Sequence, residues 1–474
     1  MSSESRSKET VQKPAPGRTS WRNGRVPEAI LLAVVFLMAL AASLYPIIHS
    51  PVRIRHGFGP FGDSYLYHTL AYNLYEGHGF SGTDDGRALG LPHKDNPLAY
   101  EPSVTRGPVY PFFLCAVYKV FGNREAMASV DTWHLNWDRV RIVQCVLNAV
   151  TCLLVFWIAR VIRPESFLAA FTAALIYAFC FYNIFYARAL LSESVTTFIL
   201  TGFILLGVLA LKTNKALWWL AAGVLFGVTV LSRAEYIPFL LAFGGYIFWV
   251  NRGRVWIGVR NAALFTGAAI CTVAPWTIRN YCVSRHLVFV STGGIGYGLY
   301  FGTFESEMTW KGWGVFPDEV FFLPREKERF NALYTSYDQN MMKGSMNVRE
   351  NDAAFIQLAL ERIRSRPLDC LSNWLTKAPR LWYQNYIQMY VEREASGNWF
   401  VSYSVFALLA FWSSTKEERI LMGLIGLLFV YLNLIFLPVH IEPRYGVALM
   451  PGIIALTGIG LGKTCVWIRT KLIS

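Results

Sequence analysis

Residues 192–211 read SESVTTFILTGFILLGVLAL, an apolar run whose one charged side chain, Glu193, lies near its start. An α-helix of about 20 apolar residues is long enough to cross a hydrocarbon core of about 30 Å. The run therefore predicts a membrane-spanning helix with a carboxylate at one end. Because an ionisable group at the edge of a membrane generally pairs with another charge or lines a cavity, Glu193 is a candidate functional residue.

Similar apolar runs recur along the whole chain, and together they predict about ten spans. The composition agrees, because 54% of the 474 residues are hydrophobic and only 16% are charged, against about 25% charged residues in soluble proteins. We therefore expect an all-α polytopic membrane protein with about ten transmembrane helices. The predicted spans are residues 29–48, 139–159, 166–186, 192–211, 216–231, 236–250, 260–276, 399–412, 420–437 and 447–461.

The distribution of basic residues predicts the orientation of the chain. The net charge is +13, and the Lys and Arg residues collect in the N-terminal tail and in alternate loops, as they do on the cytoplasmic side of membrane proteins. Both termini are therefore expected in the cytoplasm, with residues 50–138 and 280–398 outside. Basic residues arranged in this way argue against nucleic acid as a partner. The lack of an N-x-S/T sequon favours a bacterial plasma membrane, with the active site facing the periplasm or the exterior.

The predicted organisation has four parts. Low apolar content predicts that the tail is disordered. Both long outer loops are expected to carry interfacial helices, such as Val109–Phe121, an apolar stretch too short to span the membrane. The parts are a basic cytoplasmic tail (1–27), an N-terminal transmembrane module (28–279) that includes the first outer loop (50–138), an extracytoplasmic loop domain (280–398), and C-terminal transmembrane helices with a short cytoplasmic tail (399–474).

No cofactor is predicted from the sequence. The eight cysteines lack C-x-x-C spacing and lie mostly within or beside apolar segments, which is atypical of a zinc site or a disulfide framework. Cys282 and Cys370 both fall in the outer region, where an oxidising compartment leaves one bridge between them open. The sequence offers no clear cluster of metal ligands, and a divalent metal ion is left as an open alternative.

Carboxylates and guanidinium groups gather at the predicted outer ends of the spans, which indicates a polar cleft that opens outward. Structural roles are alternatives for several of them. Arg188 and Arg233 are also suited to anchor spans at the lipid headgroups, Glu193 to stabilise a helix N-terminus, and Asp63 to cap a helix that starts at Ser64. The residues at the outer ends are Arg188, Glu193, Arg233, Glu235, Arg279, Glu442 and Arg444.

Short motifs with a recognisable order run along the chain. They are GDSYLY (62–67), LYEGHGF (74–80), RGPVYP (106–111), RALLSE (188–193), LSRAE (231–235), APWTIRNY (274–281) and EPRY (442–445). In this order they resemble protein-mannosyltransferase-like and aminoarabinose-transferase-like enzymes of the glycosyltransferase C (GT-C) superfamily, family 39 and its bacterial relatives. The resemblance covers roughly residues 30–460, although residues 305–398 match no part of that pattern.

The resemblance implies transfer of a sugar from a polyprenyl-phosphate donor, with undecaprenyl or decaprenyl phosphate as the leading carrier, to a hydroxyl group on the outer face, with inversion at the anomeric carbon. It implies that Asp63 is the general base and that Glu193 is a second acidic residue of the catalytic centre. The chain departs from the family pattern at Ser64, where eukaryotic relatives have a second acid, and at Gly107, where many relatives have proline. The acceptor, whether lipid, glycan or protein, therefore stays open.

The remaining candidate residues follow from what such a reaction needs. A guanidinium group matches phosphate oxygens in a bidentate geometry, so arginines at outer span ends are candidates for the donor phosphate. The apolar helix faces are expected to bind the polyprenyl chain and membrane lipids. The candidates are Arg279, Arg444, Arg233 and Arg188 for the donor phosphate, and Tyr67, Glu101, Arg106, His440 and Tyr445 for the substrates.

Two other classes of protein share some of these features. A lipid or solute transporter would also have about ten spans with buried charges, but the chain lacks the inverted pair of Gly- or Pro-broken helices that marks a midplane site. An O-antigen ligase or polymerase would also have a large outer loop and a lipid-linked substrate. This second class is the closer alternative.

Overall fold

The computed structural model describes residues 27–49, 63–82, 101–122, 133–292, 294–305, 320–342, 348–382, 398–442 and 444–473. Within these residues every regular element is a helix, which confirms the all-α prediction. The predicted disordered tail, except for its last residue, lies outside the described residues, as do parts of both predicted outer loops.

The helices are numbered here in chain order. Two short 3₁₀-helices, Ala234–Tyr236 and Ala378–Leu381, are present besides the α-helices. The α-helices are α1 (Glu28–His49), α2 (Asp63–Glu76), α3 (Val109–Phe121), α4 (Trp133–Ile162), α5 (Phe167–Ala178), α6 (Phe181–Arg188), α7 (Glu193–Thr213), α8 (Ala216–Ser232), α9 (Phe239–Val250), α10 (Val255–Ser284), α11 (Ile295–Gly302), α12 (Glu326–Met342), α13 (Val348–Ser365), α14 (Pro367–Lys377), α15 (Asn398–Trp412), α16 (Lys416–Phe436), α17 (Arg444–Val447) and α18 (Met450–Ile473).

Six of the described helices are long and apolar enough to cross a membrane, namely α1, α4, α7, α10, α16 and α18. A seventh span is obtained if the bent pair α5 and α6 is counted as one. The predicted spans at 216–231, 236–250 and 399–412 are also helical, but they belong to apolar helices of only 10–17 residues. A multi-pass membrane protein is therefore confirmed, whereas the number of ten spans stays a prediction.

One predicted span differs from the structure. Residues 166–186 were expected to form a continuous helix, but the chain bends by 48° between α5 and α6. The carbonyl groups at the end of α6 accept hydrogen bonds from α4: Gln144 Nε2 donates to Ala187 O at 3.0 Å, and Arg141 Nε donates to Arg188 O at 3.0 Å. These contacts hold the second half of the span at an angle to the first.

Aromatic side chains fill the bundle between α7, α8, α9 and α10. Phe203, Phe226, Phe239, Phe243 and Phe265 are completely buried, and neighbouring rings lie with their centroids 4.8–6.4 Å apart. Ring pairs at such distances contribute about 0.5–1.5 kcal/mol beyond the burial of their area. This core packs α7 against α8, and Glu193 and Arg233 lie at the start of α7 and just after the end of α8.

The first predicted outer loop, called the first outer loop below, is held together by α2 and α3. The rings of Tyr67 on α2 and Tyr110 on α3 meet edge to face at 5.0 Å, and the His68 ring is hydrogen-bonded to Tyr118 Oη at 2.8 Å. Asp63 is the first residue of α2, so its carboxylate lies in the first turn of that helix. The two helices predicted in this loop are therefore confirmed.

The predicted outer region, called the outer region below, contains α11, α12, α13 and α14 and has a small core of its own. Tyr300, Phe330 and Phe355 are buried there, and the buried ion pair of Glu326 and Arg362 links α12 to α13. Among the described residues Cys282 is a free, exposed thiol. The bridge to Cys370 that the sequence left open is therefore not formed.

Candidate active site

Three distant segments of the chain meet at Asp63. Its Oδ1 lies 2.6 Å from Nη2 of Arg106, which precedes α3, and its Oδ2 lies 3.0 Å from Nη1 of Arg444, the first residue of α17. The carboxylate is 28% exposed. Asp63 therefore lies between two cations and remains accessible from outside the protein.

Gly107 explains how Arg106 reaches this position. A Cβ atom at residue 107 would lie 2.4 Å from the carbonyl oxygen of Leu231 near the end of α8. Such a distance is too short for any side chain, so the backbone at Gly107 packs directly against α8. The sequence departs from the family pattern at Gly107, and the close contact with α8 gives a steric reason for the glycine.

Glu193 is the second carboxylate of the site. It opens α7, is buried, and places Oε1 at 3.3 Å from Nη1 of Arg233 and 3.6 Å from Nε of Arg444. Arg233 also forms an ion pair with Glu235. Within the described residues, Oε2 of Glu193 has no hydrogen-bond partner. A buried carboxylate oxygen without a partner costs free energy, which makes Oε2 a candidate acceptor for the hydroxyl group of a ligand.

Arg444 is shared by three carboxylates. Besides Asp63 and Glu193 it contacts Glu442, whose Oε2 lies 2.5 Å from Arg444 Nε and whose Oε1 accepts a hydrogen bond from Nη2 at 3.0 Å. His440 Nε2 lies 3.3 Å from the same Oε1. The segment around α17 therefore brings an arginine, a glutamate and a histidine to one point.

The ion pairs continue from His440 into the outer region. His440 Nδ1 lies 2.9 Å from Oε1 of Glu305, and Oε2 of Glu305 lies 3.6 Å from Nζ of Lys377. Ten ionisable groups are thereby joined in one continuous set, which we call the charged network. Its members are Asp63, Arg106, Glu193, Arg233, Glu235, Glu305, Lys377, His440, Glu442 and Arg444.

Neighbouring cations lower the pKa values of two carboxylates of the network. Burial acts to raise the pKa of Asp63, but the charges of Arg106 and Arg444 outweigh it and hold this pKa well below its usual range. Burial likewise opposes ionisation of Glu442, yet Arg444 and His440 lower its pKa to about 2. Both carboxylates are therefore ionised at neutral pH.

Burial acts to lower the pKa of both cations nearest the outer region, but the net shifts of the two groups differ. Burial acts to lower the pKa of His440, but hydrogen bonds to Glu305 and Glu442 raise it to about 9. Burial lowers the pKa of Lys377 to about 8, although Glu305 partly offsets this effect. At neutral pH the imidazole of His440 is therefore positively charged.

Tyr445 packs against both central arginines. Its ring centroid lies 5.0 Å from the guanidinium carbon of Arg233 and 5.6 Å from that of Arg444, and the ring stacks on Phe436 at 4.8 Å. A cation over an aromatic ring is attracted to its face. Tyr445 thus limits the directions in which the two guanidinium groups can point.

Three candidate residues lie apart from the network. Arg279 donates to the carbonyl oxygens of Ser103 at 2.5 Å and Phe80 at 2.8 Å, so the structure uses it to hold the first outer loop to α10. Glu101 is exposed, with its carbonyl oxygen accepting from Gly82 N. Arg188 points to the Phe185 ring, 5.8 Å away. The described contacts bring none of the three to Asp63.

Sequence reasoning missed Glu305 and Lys377. Glu305 stands at the start of the region that lacks the family pattern, and Lys377 ends the amphipathic helix α14. Neither residue differs in its sequence context from an ordinary surface charge. A lysine that is completely buried, as Lys377 is, requires a partner, but only the fold shows that burial.

Among the described residues, no group of three or more His, Cys, Asp or Glu side chains is arranged to hold a metal ion.

An apolar cavity of about 440 Å³ lies beside the charged network, between α3, α8 and α10. Its wall reaches Pro108 and Leu231, which are two residues from Arg106 and Arg233 respectively. The other lining residues are Val109, Phe112, Thr272, Pro275 and Trp276. The apolar cavity therefore adjoins the charged network.

Comparison with known proteins places this geometry in context. Residues 105–278 match the family model described as dolichyl-phosphate-mannose-protein mannosyltransferase. No curated protein matches the chain at a comparable level.

Two solved structures of an archaeal enzyme share the fold at low sequence identity. The oligosaccharyltransferase AglB from Archaeoglobus fulgidus, in complex with an inhibitory peptide and a dolichol-phosphate, matches with a TM-score of 0.52 at 12% identity over 94% of this chain and 51% of that chain. The apo form of the Archaeoglobus fulgidus oligosaccharyltransferase gives a TM-score of 0.51 at 13% identity, over 94% and 52%. ArnT from Cupriavidus metallidurans bound to undecaprenyl phosphate gives 0.35 at 15% identity, over 92% and 76%. The chain thus spans about half the length of the archaeal enzyme.

Proposed function

We propose that this chain is a membrane glycosyltransferase of the GT-C superfamily, and that it transfers a monosaccharide from a polyprenyl-phosphate donor to an acceptor hydroxyl group on the extracytoplasmic face. The match of residues 105–278 to the family model and the fold shared with AglB support the proposal. The observation that carries the proposal is the contact between Asp63 and Arg444. A carboxylate suited to accept a proton lies 3.0 Å from a guanidinium group suited to hold a phosphate. Transfer of a sugar from a phosphate to a hydroxyl needs both groups at one point.

The reaction proceeds by direct displacement with inversion. The acceptor oxygen attacks the anomeric carbon, the bond from that carbon to the phosphate oxygen breaks, and polyprenyl phosphate leaves. The proton of the acceptor hydroxyl passes to the carboxylate of Asp63. A correctly placed general base contributes about a hundredfold to ten-thousandfold to the rate.

Asp63 becomes available as a base when the donor binds. In the structure both of its oxygens face arginines, which makes it a weak base. An anionic phosphate competes with Asp63 for Arg444, because a guanidinium binds phosphate oxygens in a bidentate manner. Release of Arg444 would raise the pKa of Asp63 at the moment when the donor is in place.

Arg233 and Glu193 complete the proposed site. Arg233 lies 3.3 Å from Glu193 Oε1 and shares that oxygen with Arg444, so the two guanidinium groups are held side by side for the phosphate. The partnerless Oε2 of Glu193 is placed to accept a hydrogen bond from a substrate hydroxyl. We assign Glu193 to orientation of the acceptor, with Asp63 as the base.

The apolar cavity beside the network suits the first isoprene units of the donor. It is lined by hydrophobic and aromatic side chains and opens next to Arg106 and Arg233, as expected for a lipid whose phosphate must reach the charges. The archaeal enzyme of similar fold was solved with a dolichol-phosphate. A lipid phosphate of the same chemical class is accordingly our proposed donor carrier.

Incubation of the purified protein with a radiolabelled polyprenyl-phosphate monosaccharide tests the proposal. Transfer of the labelled monosaccharide to a lipid, glycan or protein acceptor is the expected result. A strict requirement for a pyrophosphate-linked glycan would instead identify a ligase or polymerase. Donor binding without transfer to any acceptor fraction, in a protein that moves the lipid between leaflets, would identify a transporter.

A further inference from the structure

Helix α11 of the outer region packs directly against the segment before α17, backbone against backbone. A Cβ atom at Gly302, the last residue of α11, would lie 2.1 Å from the carbonyl oxygen of Pro438. The backbone N–H of His440 donates to Gly298 O on the same helix at 2.8 Å. Contact at the level of the backbone leaves little room for sliding, so the position of α11 fixes the position of His440.

Glu305 strengthens this junction with both of its carboxylate oxygens. Oε1 faces His440 Nδ1 at 2.9 Å, and Oε2 accepts from the backbone N–H of Ile441 at 3.0 Å. Lys377 on α14 lies 3.6 Å from Oε2 and is completely buried, with its ammonium group also donating to Val439 O at 2.7 Å. Contacts from α14 and from the segment before α17 thus fix the carboxylate of Glu305.

His440 lies between two carboxylates, and this arrangement determines its charge. Nδ1 faces Glu305 and Nε2 faces Glu442, at 2.9 Å and 3.3 Å. A neutral imidazole carries one N–H and can donate to only one of them, whereas an imidazolium donates to both. Glu442 in turn contacts Arg444 at 2.5 Å. A line of alternating charges therefore runs from the outer region to the arginine beside Asp63.

The charge balance of the network depends on His440. Asp63, Glu193, Glu235, Glu305 and Glu442 supply five negative charges, and three arginines with Lys377 supply four positive ones. Protonated His440 is the fifth cation. Without that proton the site that must accept an anionic lipid phosphate carries a net negative charge.

We propose that Glu305 and His440 are positioning residues for Arg444, and that the protonated imidazole makes the donor-phosphate site electrically neutral so that an anionic lipid can bind. The inference rests on the proposed function, because it concerns the same phosphate site. It assigns a role to the outer region, which holds Glu305 and Lys377 and thereby controls the arginine across the junction.

The surroundings of His440 support titration in the alkaline range. Glu305 from the end of α11 and Glu442 from its own segment face the ring directly, Lys377 from α14 lies behind Glu305, and Arg444 lies behind Glu442. These partners raise the pKa of His440 to about 9. Because the raised value lies above the usual one, the charge is present at neutral pH and is lost as the pH rises through about 9.

Binding of undecaprenyl phosphate to the purified full-length protein in nanodiscs, measured between about pH 6.5 and 10, tests the inference. For the wild type, the Kd is expected to rise by about tenfold across this range as one cation near the anion is lost. In His440→Gln, the part of the rise centred near pH 9 should be absent, and only the smaller change near pH 8 that Lys377 contributes from behind Glu305 should remain. In Glu305→Gln, the rise should be shifted by about one unit to lower pH, because one of the two carboxylates that face the imidazole is gone.

The matched control is Glu361→Gln, the same substitution in the outer region at a surface ion pair with Arg329. Its pH profile should equal that of the wild type. A histidine with a purely structural role would lower the melting temperature without moving the pH profile. If folded His440→Gln and Glu305→Gln both keep the wild-type profile, the inference is wrong.

Transfer measured in parallel separates this inference from the proposed function. Lipid-phosphate binding with the expected pH profile, but without transfer from any polyprenyl-phosphate sugar, would overturn the proposed function and retain the positioning role. Transfer by the wild type together with an unshifted pH profile in the variants would support the proposed function and overturn the positioning role.

Discussion

The substitution Asp63→Asn separates proton transfer from donor binding. It is nearly isosteric and keeps an oxygen in the first turn of α2, so expression and melting temperature should change little. It removes the proposed base, and kcat should therefore fall by about a hundredfold to ten-thousandfold, equivalent to about 2.7–5.5 kcal/mol at 1.36 kcal/mol per tenfold change.

The effect on donor binding should have the opposite sign. Asp63 lies 3.0 Å from Arg444, and a pair of unit charges at that distance attracts by at most about 5.5 kcal/mol at an effective dielectric constant near 20. The donor phosphate must compete with this attraction. Asparagine weakens it and leaves the network with one more positive than negative charge, so the KM for the donor should stay equal or fall.

Steady-state kinetics with a labelled polyprenyl-phosphate sugar, at saturating acceptor, gives kcat and the donor KM separately. Asp138→Asn is the matched control, because Asp138 pairs with Arg141 at 3.1 Å on α4 and lies outside the charged network. This control should show wild-type kinetics. Wild-type turnover by Asp63→Asn would remove Asp63 from the role of base, and a large rise in donor KM at unchanged kcat would instead make it a binding residue.

Four further predictions concern other residues. Arg444→Lys keeps the charge but loses the bidentate geometry, so it should retain more activity than Arg444→Ala yet stay clearly below wild type, with donor KM raised in both; equal activity of lysine and arginine would contradict phosphate binding. Glu193→Gln should raise the acceptor KM more than the donor KM, and an unchanged acceptor KM would refute its orienting role. Arg279→Ala should lower the melting temperature through loss of the bonds to Ser103 and Phe80, each worth about 1.5–3 kcal/mol; a folded variant that shows only a raised donor KM would restore Arg279 as a phosphate ligand. The exposed thiol of Cys282 should react with an impermeant reagent from outside and that of Cys465 only from the cytoplasmic side, and the reverse pattern would overturn the orientation.

The sequence was informative wherever a property is local. Apolar runs such as residues 192–211 predict spans because the length of a helix and the thickness of a membrane are fixed quantities, and the structure has a helix at each predicted span. Short apolar stretches such as Val109–Phe121 are recognised in the same way. The position of charges at span ends is also local, which is why Glu193, Arg233 and Arg444 were candidates before the fold was known.

Features that depend on distant contacts were not predictable from the sequence. The bend between α5 and α6 has no proline or glycine at the break, and it depends on side chains of α4 that are more than 40 residues away in the chain. Arg279 resembles the other arginines at span ends, yet its partners are carbonyl groups of the first outer loop. Glu305 and Lys377 are recognised as buried charges only when α11 and α14 are seen packed on the segment before α17.

The two carboxylates at the centre of the site differ in a way that orders the proposed reaction. Both oxygens of Asp63 face guanidinium groups, whereas Glu193 has one buried oxygen with no partner among the described residues. An acceptor hydroxyl can therefore bind Glu193 while Asp63 is still held by its arginines. Only the donor phosphate, by attracting Arg444, frees Asp63 to accept the proton. Because the base is released by the donor itself, activation of the acceptor is confined to the complex in which the sugar is present, and the arginine that binds the leaving group also controls the base.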